Sequence, residues 1–113
     1  MAIIPADKDF NLVKKADFPL KLTFKDGNGD AINLTGYTVA AQVWDTARKV
    51  KFADWGITYT NRSTGIVDIK LTDQQTDNFI VGTLKYDVKL TEPNGDEYYY
   101  IKGNLNVSQG YTE

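Results

Sequence analysis

The stretch that decides the fold runs from Ala16 to Trp44 and reads ADFPLKLTFKDGNGDAINLTGYTVAAQVW. In its first part, apolar side chains alternate with polar ones, which is the pattern of a strand with one buried face and one solvent-exposed face. The apolar positions are Leu20, Leu22 and Phe24. The segment 26–30, Asp-Gly-Asn-Gly-Asp, then supplies residues that tolerate a tight reversal. Inward alternation resumes at Val39, Ala41 and Val43, so the stretch predicts two strands of an antiparallel β-domain.

The same alternation recurs along most of the remaining chain, in residues 10–13, 57–60, 65–71, 84–90 and 99–107. Asn94-Gly95 is a strong hairpin signal between the last two of these segments. Thr72 and Gln75 have the spacing of a capping box, and Gly82 soon follows. About seven short strands with regularly spaced turns predict an all-β fold, an immunoglobulin-like antiparallel β-sandwich, with one short helical turn near residues 73–78.

A chain of 113 residues is expected to form one domain. We interpret residues 1–9 as an N-terminal arm, residues 10–108 as the β-sandwich and residues 109–113 as a C-terminal tail. Periodicity is lost from residue 45 to residue 56, and we expect a connection that crosses between sheets there, with room for a short strand around residues 50–52.

The composition argues against several classes of function. The chain has no Cys and no His, so it lacks the commonest general base and the commonest transition-metal ligand. Its formal net charge is −2, with the two signs interleaved rather than clustered into a basic face. No apolar run approaches the ~20 residues of a membrane span. We therefore expect no enzyme activity, no catalytic residues, no cofactor, and no nucleic-acid or membrane partner.

One segment has the spacing of metal ligands. Asp26, Asn28 and Asp30 copy the first three positions of a calcium loop, but Ala31 and Tyr37 stand where later positions need Gly and a carboxylate. Asp, Asn and Gly are also the preferred residues of turns. We therefore interpret the segment as a hairpin turn and expect no metal site.

The aromatic side chains offer a candidate interaction surface. Tyr86 and Tyr99 fall in phase with the core face of their strands, whereas Tyr98, Tyr100 and Trp44 fall out of phase, and Trp55 lies in the irregular crossing. Exposed rings can anchor a protein contact or stack on a sugar. The N-terminal arm or the 45–56 connection could instead cover them. The candidate surface consists of Trp44, Trp55, Tyr98 and Tyr100.

The order of the motifs resembles the N-terminal immunoglobulin-like domain of phage baseplate upper proteins and related phage tail structural proteins. The resemblance rests on Asp17-Phe18-x-Leu20-x-Leu22, then Asp26-x-Asn28-Gly29-x-x-Ile32-x-Leu34-Thr35-Gly36, then Val39-x-Ala41-x-Val43. The later sequence motifs of that family correspond in position to Gly82-x-x-x-Tyr86 and Asn94-Gly95-Asp96. Ala16 departs from the usual Gly, and residues 45–56 have no counterpart.

The resemblance implies a non-catalytic structural or adaptor domain of a phage tail or baseplate. Such a domain docks other virion proteins, supports receptor-binding proteins, forms homo-oligomers in the virion, and reaches the virion after synthesis in the host cytoplasm. One alternative is a carbohydrate-binding adhesion module recognising a host surface glycan, which needs at least two coplanar exposed rings. A second is a small-substrate hydrolase, which needs two facing carboxylates in a cleft.

Overall fold

The computed structural model describes residues 6–110, in which nine strands, one 3-10 turn and one short helix are found. The strands are β1 (Ala6–Asp7), β2 (Phe10–Val13), β3 (Phe18–Thr23), β4 (Thr38–Trp44), β5 (Lys51–Asp54), β6 (Gly56–Asn61), β7 (Ile66–Leu71), β8 (Gly82–Thr91) and β9 (Glu97–Ser108). The 3-10 turn spans Arg62–Thr64, and helix α1 spans Asp73–Asp77.

The strands form two facing sheets. The six-stranded sheet has the order β1-β9-β8-β4-β5, with β2 following β1 along the same edge of β9, and the three-stranded sheet has the order β3-β7-β6. β1 and β2 run parallel to β9, and all the other paired strands are antiparallel. The predicted all-β, immunoglobulin-like sandwich is confirmed.

Two short strands raise the number above the seven or so that the sequence predicts. β5 lies in the 45–56 connection, close to where a short strand was expected. β1 lies within the predicted N-terminal arm, whose residues 1–5 are outside the described residues. Of the predicted tail 109–113, the structure describes Gln109 and Gly110.

Alternation places one face of each long strand in the core. In β4, Val39, Ala41 and Val43 are buried, and in β8 the buried side chains are Leu84, Tyr86, Val88 and Leu90. Helix α1 has the predicted capping box: Thr72 Oγ1 accepts from Gln75 N, and Gln75 Oε1 accepts from Thr72 N. Phe79, which follows the helix, is only 1% exposed. Within residues 6–110, no helix is long and apolar enough to cross a membrane.

The crossing between sheets takes place at Trp55. Its backbone N donates to the Ala41 carbonyl of β4 at 2.9 Å, directly after β5 ends, and the chain then enters β6 of the other sheet. This geometry carries the Trp55 side chain into the space between the sheets. The irregular segment is therefore a structural junction.

The N-terminal strand fits against β9 because Gly103 has no side chain. Lys8 donates its backbone N to the Lys102 carbonyl at 2.9 Å, and its own carbonyl accepts from the Tyr86 hydroxyl at 2.6 Å. A Cβ on Gly103 would overlap with the Lys8 carbonyl group. The close approach of the two backbones therefore requires glycine at this position.

We expect Gly103→Ala to displace residues 6–9 from β9 and to lower the free energy of unfolding by about 1–3 kcal/mol, as overpacking usually does. Gly27→Ala is the matched control, because a Cβ there would meet no atom within 4 Å. Urea denaturation measures both variants, and hydrogen exchange at the Lys8 amide reports the displacement. Equal stabilities for the two variants would show that the close approach is unimportant.

Candidate interaction surface

The four rings proposed from the sequence do not share one surface. Trp44 lies on the outer face of the six-stranded sheet, since its neighbours Val43 and Ala41 alternate with it and point inward. Trp55, Tyr98 and Tyr100 lie on the core side. The structure therefore does not bring the four rings together, and Trp44 is the one that lies on the outer face.

Trp55 is buried, with 4% of its surface exposed. Its ring centroid lies 6.0 Å from that of Phe18 and 6.0 Å from that of Tyr86. Trp55 thus lies in the core and not on an exposed surface, because the crossing segment passes between the two sheets.

A β-bulge in β9 reverses the expected phase of the three consecutive tyrosines. Val88 pairs with Ile101 and Lys89 pairs with Tyr99, so Tyr100 is an extra residue with no partner in β8. A bulge of this kind breaks the period-two alternation. Tyr99, which was predicted to face the core, is 50% exposed, whereas Tyr98 and Tyr100 are half-buried.

Both half-buried tyrosines are engaged within the sandwich itself. The Tyr100 ring lies 4.4 Å from that of the fully buried Phe24, and its hydroxyl accepts from Lys25 N at 3.0 Å and donates to the Thr23 carbonyl at 3.2 Å. Tyr98 pairs with Leu90, whose side chain is fully buried. Tyr100 thus ties β9 to the end of β3 and does not present its ring to a partner.

Trp44 is held in a defined orientation on the outer face. Its Nε1 donates to Gln42 Oε1 at 2.9 Å, and the Arg48 guanidinium lies 4.5 Å from the ring centroid. This distance is within the range of a cation–π contact. Arg48 comes from the turn between β4 and β5, so the turn folds back over the sheet.

Two clefts flank this pair of side chains. The first, of about 120 Å³, is lined partly by Asp87, Lys89 and Tyr99, and the second, of about 180 Å³, partly by Asp45, Lys85 and Asp87; Trp44 and Arg48 border both. We call the following residues the outer-face patch: Gln42, Trp44, Arg48, Asp87, Lys89 and Tyr99.

Sequence reasoning identified one residue of the outer-face patch as a site residue. Asp87 and Lys89 both lie on β8, and their pairing with Gln42 and Ala40 places them beside β4. Their positions on the solvent-exposed face of one predicted strand, residues 84–90, could have indicated that they are neighbours on the surface. No local signal indicates that Tyr99 faces outward, because the bulge that turns it is not encoded in the alternation.

The electrostatics of the patch centre on Asp87. Partial burial raises the pKa of this carboxyl, while the charges of Arg48 and Lys89 act in the opposite direction. Lys89 also forms a salt bridge with Glu97 at 3.3 Å. The first cleft therefore combines one desolvated carboxylate, two cationic side chains and two aromatic rings.

No arrangement for metal binding is found in the described part of the chain, where no three His, Cys, Asp or Glu side chains cluster. The copied calcium-loop positions form a turn, since Asp26 Oδ1 accepts from the backbone N of Asn28 and of Asp30. Asp45 Oδ1 likewise accepts from Lys49 N and Val50 N within its own turn. Asp87 is the only carboxylate among the described residues that line the first cleft.

Comparison with known proteins identifies related folds. No protein-family model and no curated protein sequence matches the chain. The N-terminal domain of phage TP901-1 ORF48 is similar in structure, with a TM-score of 0.60 and 11% sequence identity over 93% of this chain and 90% of that one. The Lin-41 filamin domain covers 88% of this chain and 84% of its own, with a TM-score of 0.49 and 16% identity. At these identities, the likeness to the phage domain concerns the immunoglobulin-like fold.

The two tryptophans should respond differently to acrylamide. We expect Trp44→Phe to remove most of the quenchable fluorescence, because Trp44 is on the outer face, whereas Trp55→Phe should remove the shielded, blue-shifted component. Trp55→Phe should also lower the free energy of unfolding by about 1–3 kcal/mol, since it leaves a void in the core. Equal quenching of the two single-tryptophan proteins would contradict the assignment of Trp55 to the core.

Proposed function

We propose that this chain is a non-catalytic structural domain of a phage tail or baseplate, which docks other virion proteins and supports receptor-binding proteins. The observation that carries the proposal is the likeness to the phage TP901-1 ORF48 domain, which extends over nearly all of both chains. The ordered motifs between Asp17 and Val43 support it independently, since they resemble those of phage baseplate upper proteins.

The motifs that carry the resemblance serve the architecture. Leu34 of the Leu-Thr-Gly segment is fully buried, and its carbonyl accepts from Tyr37 N at 2.9 Å to close the corner before β4. Arg62 Nη1 donates to the carbonyls of Leu34 and Tyr37 at 3.1 and 2.8 Å, which fixes this corner against the 3-10 turn. Residues with such roles maintain a scaffold, as a structural domain requires.

The edge strands of the three-stranded sheet disfavour docking by strand addition there. In β3, an edge strand, Pro19 lacks an N–H and Lys21 is exposed, and both features discourage pairing with another strand. Beside β6, the Tyr59 hydroxyl accepts from Val39 N at 2.9 Å, and Arg62 lies over the Tyr59 ring. We therefore place the docking function on the outer face of the six-stranded sheet, where Trp44, Arg48 and Tyr99 are residue types that interfaces favour.

The carbohydrate-binding alternative is less well supported by the same patch. Trp44 and Tyr99 share the outer face, but the Arg48 guanidinium lies over the Trp44 ring, where a sugar would need to stack. The remaining candidate rings lie on the core side. The hydrolase alternative needs two facing carboxylates. The second cleft is lined by Asp45 and Asp87, but Asp45 Oδ1 already accepts from Lys49 N and Val50 N within its own turn.

The proposal is tested on purified particles of the phage or induced prophage that encodes the chain. Mass spectrometry should detect peptides of this protein at a level comparable with known tail proteins, and gold-labelled antibodies against the folded domain should mark the tail. A non-structural protein of the same phage serves as the control and should be lost during purification. Absence of the chain from intact, infectious particles would refute the proposal.

A further inference from the structure

Arg48 has a backbone conformation that arginine rarely adopts. Its φ is 54°, in the left-handed region, where a Cβ is unfavourable and where Gly or Asn is the usual residue. Hydrogen bonds of the turn hold it there: Arg48 N donates to the Asp45 carbonyl at 3.0 Å, and Asp45 Oδ1 accepts from Lys49 N and Val50 N. The turn would therefore tolerate Asn at this position with less strain than Arg.

The strained backbone places a guanidinium over an aromatic ring that is itself fixed. Trp44 is oriented by Gln42, and Arg48 stacks on Trp44, so the N–H donors of the guanidinium are held at the surface before any partner arrives. Such preorganisation reduces the entropy that binding must overcome. Strain of this kind is typical of functional sites.

The charges around Arg48 favour an anionic partner group. Salt bridges join Lys51 to Asp54 at 3.1 Å and Lys89 to Glu97 at 3.3 Å on this face. Within residues 6–110, none joins Arg48, Lys49 or Lys85. Asp45 is engaged by its own turn, which leaves Asp87 as the acid that faces the first cleft. A planar guanidinium with free N–H donors suits a carboxylate in particular.

We propose that the outer-face patch docks an acidic side chain, Asp or Glu, of a partner protein, with Arg48 as the donor and the rings of Trp44 and Tyr99 as the walls of the contact. This inference rests on the proposed docking function and names the chemistry of the partner. Asp87 opposes the bound carboxylate by like-charge repulsion, so it limits the affinity and favours partners that approach from the Arg48 side.

In the test, a terminally blocked peptide with one glutamate between glycines is titrated into the folded protein. NMR records the chemical shifts of the Arg48 side-chain N–H and the Trp44 indole N–H. The glutamate peptide should give saturable shifts at both groups, and a matched glutamine peptide should give none. Arg48→Asn should weaken binding about tenfold or more, and Asp87→Asn should strengthen it. Absence of saturable shifts with the glutamate peptide, or larger shifts with inorganic phosphate at equal ionic strength, would overturn the proposal.

Lys15 provides the matched control for backbone strain. It is the other non-glycine residue with a positive φ in the described part of the chain, at 66°. Arg48→Asn should raise the denaturation midpoint and weaken the peptide response, whereas Lys15→Asn should leave the peptide response unchanged. Full binding by Arg48→Asn would overturn the role of Arg48. If the protein is found in virions but does not bind the peptide, this inference alone fails; if it binds the peptide but is absent from virions, the proposed function fails.

Discussion

Four aromatic rings pack together where strand β2, the crossing segment at Trp55 and both sheets meet. Phe10, Phe18, Trp55 and Tyr86 form a closed cycle in which neighbouring ring centroids are 5.7–6.0 Å apart. Each such pair stabilises a fold by about 0.5–1.5 kcal/mol beyond the area it buries. Burial and the nearby charge of Asp9 raise the pKa of Tyr86, and its phenol donates to the Lys8 carbonyl. The cycle thus joins β2, β3, β8 and the crossing, and the rest of the sandwich depends on it.

Because these aromatic rings are packed in the interior, they are not available to bind a partner. The large aromatic side chains near Trp55 pack against one another, and the motifs between Asp26 and Gly36 build turns and corners. The docking surface that we propose is the outer face of the six-stranded sheet, where the outer-face patch combines a fixed guanidinium, two aromatic rings and a desolvated carboxylate. A rigid scaffold that presents a small polar and aromatic patch is suited to docking between proteins.

The strands, the hairpins and the capping box could be predicted because each depends on residues close in sequence. Alternation identifies β4 and β8, and Thr72 with Gln75 marks the start of α1. Three features could not be predicted from alternation and residue type. The bulge at Tyr100 shifts the phase by one residue, Trp55 is buried only because two sheets enclose it, and Arg48 is left-handed although nothing in its residue type favours that conformation.

A double-mutant cycle between Phe18 and Tyr86 tests most directly whether the four rings act as one unit. The two rings lie on opposite sides of the cycle and communicate through Phe10 and Trp55. Urea denaturation of Phe18→Leu, Tyr86→Leu and the double variant should give a coupling energy above about 0.5 kcal/mol, the value that separates coupled from independent sites. Strictly additive losses of stability would contradict the view that the aromatic cycle holds the two sheets and the N-terminal strand together.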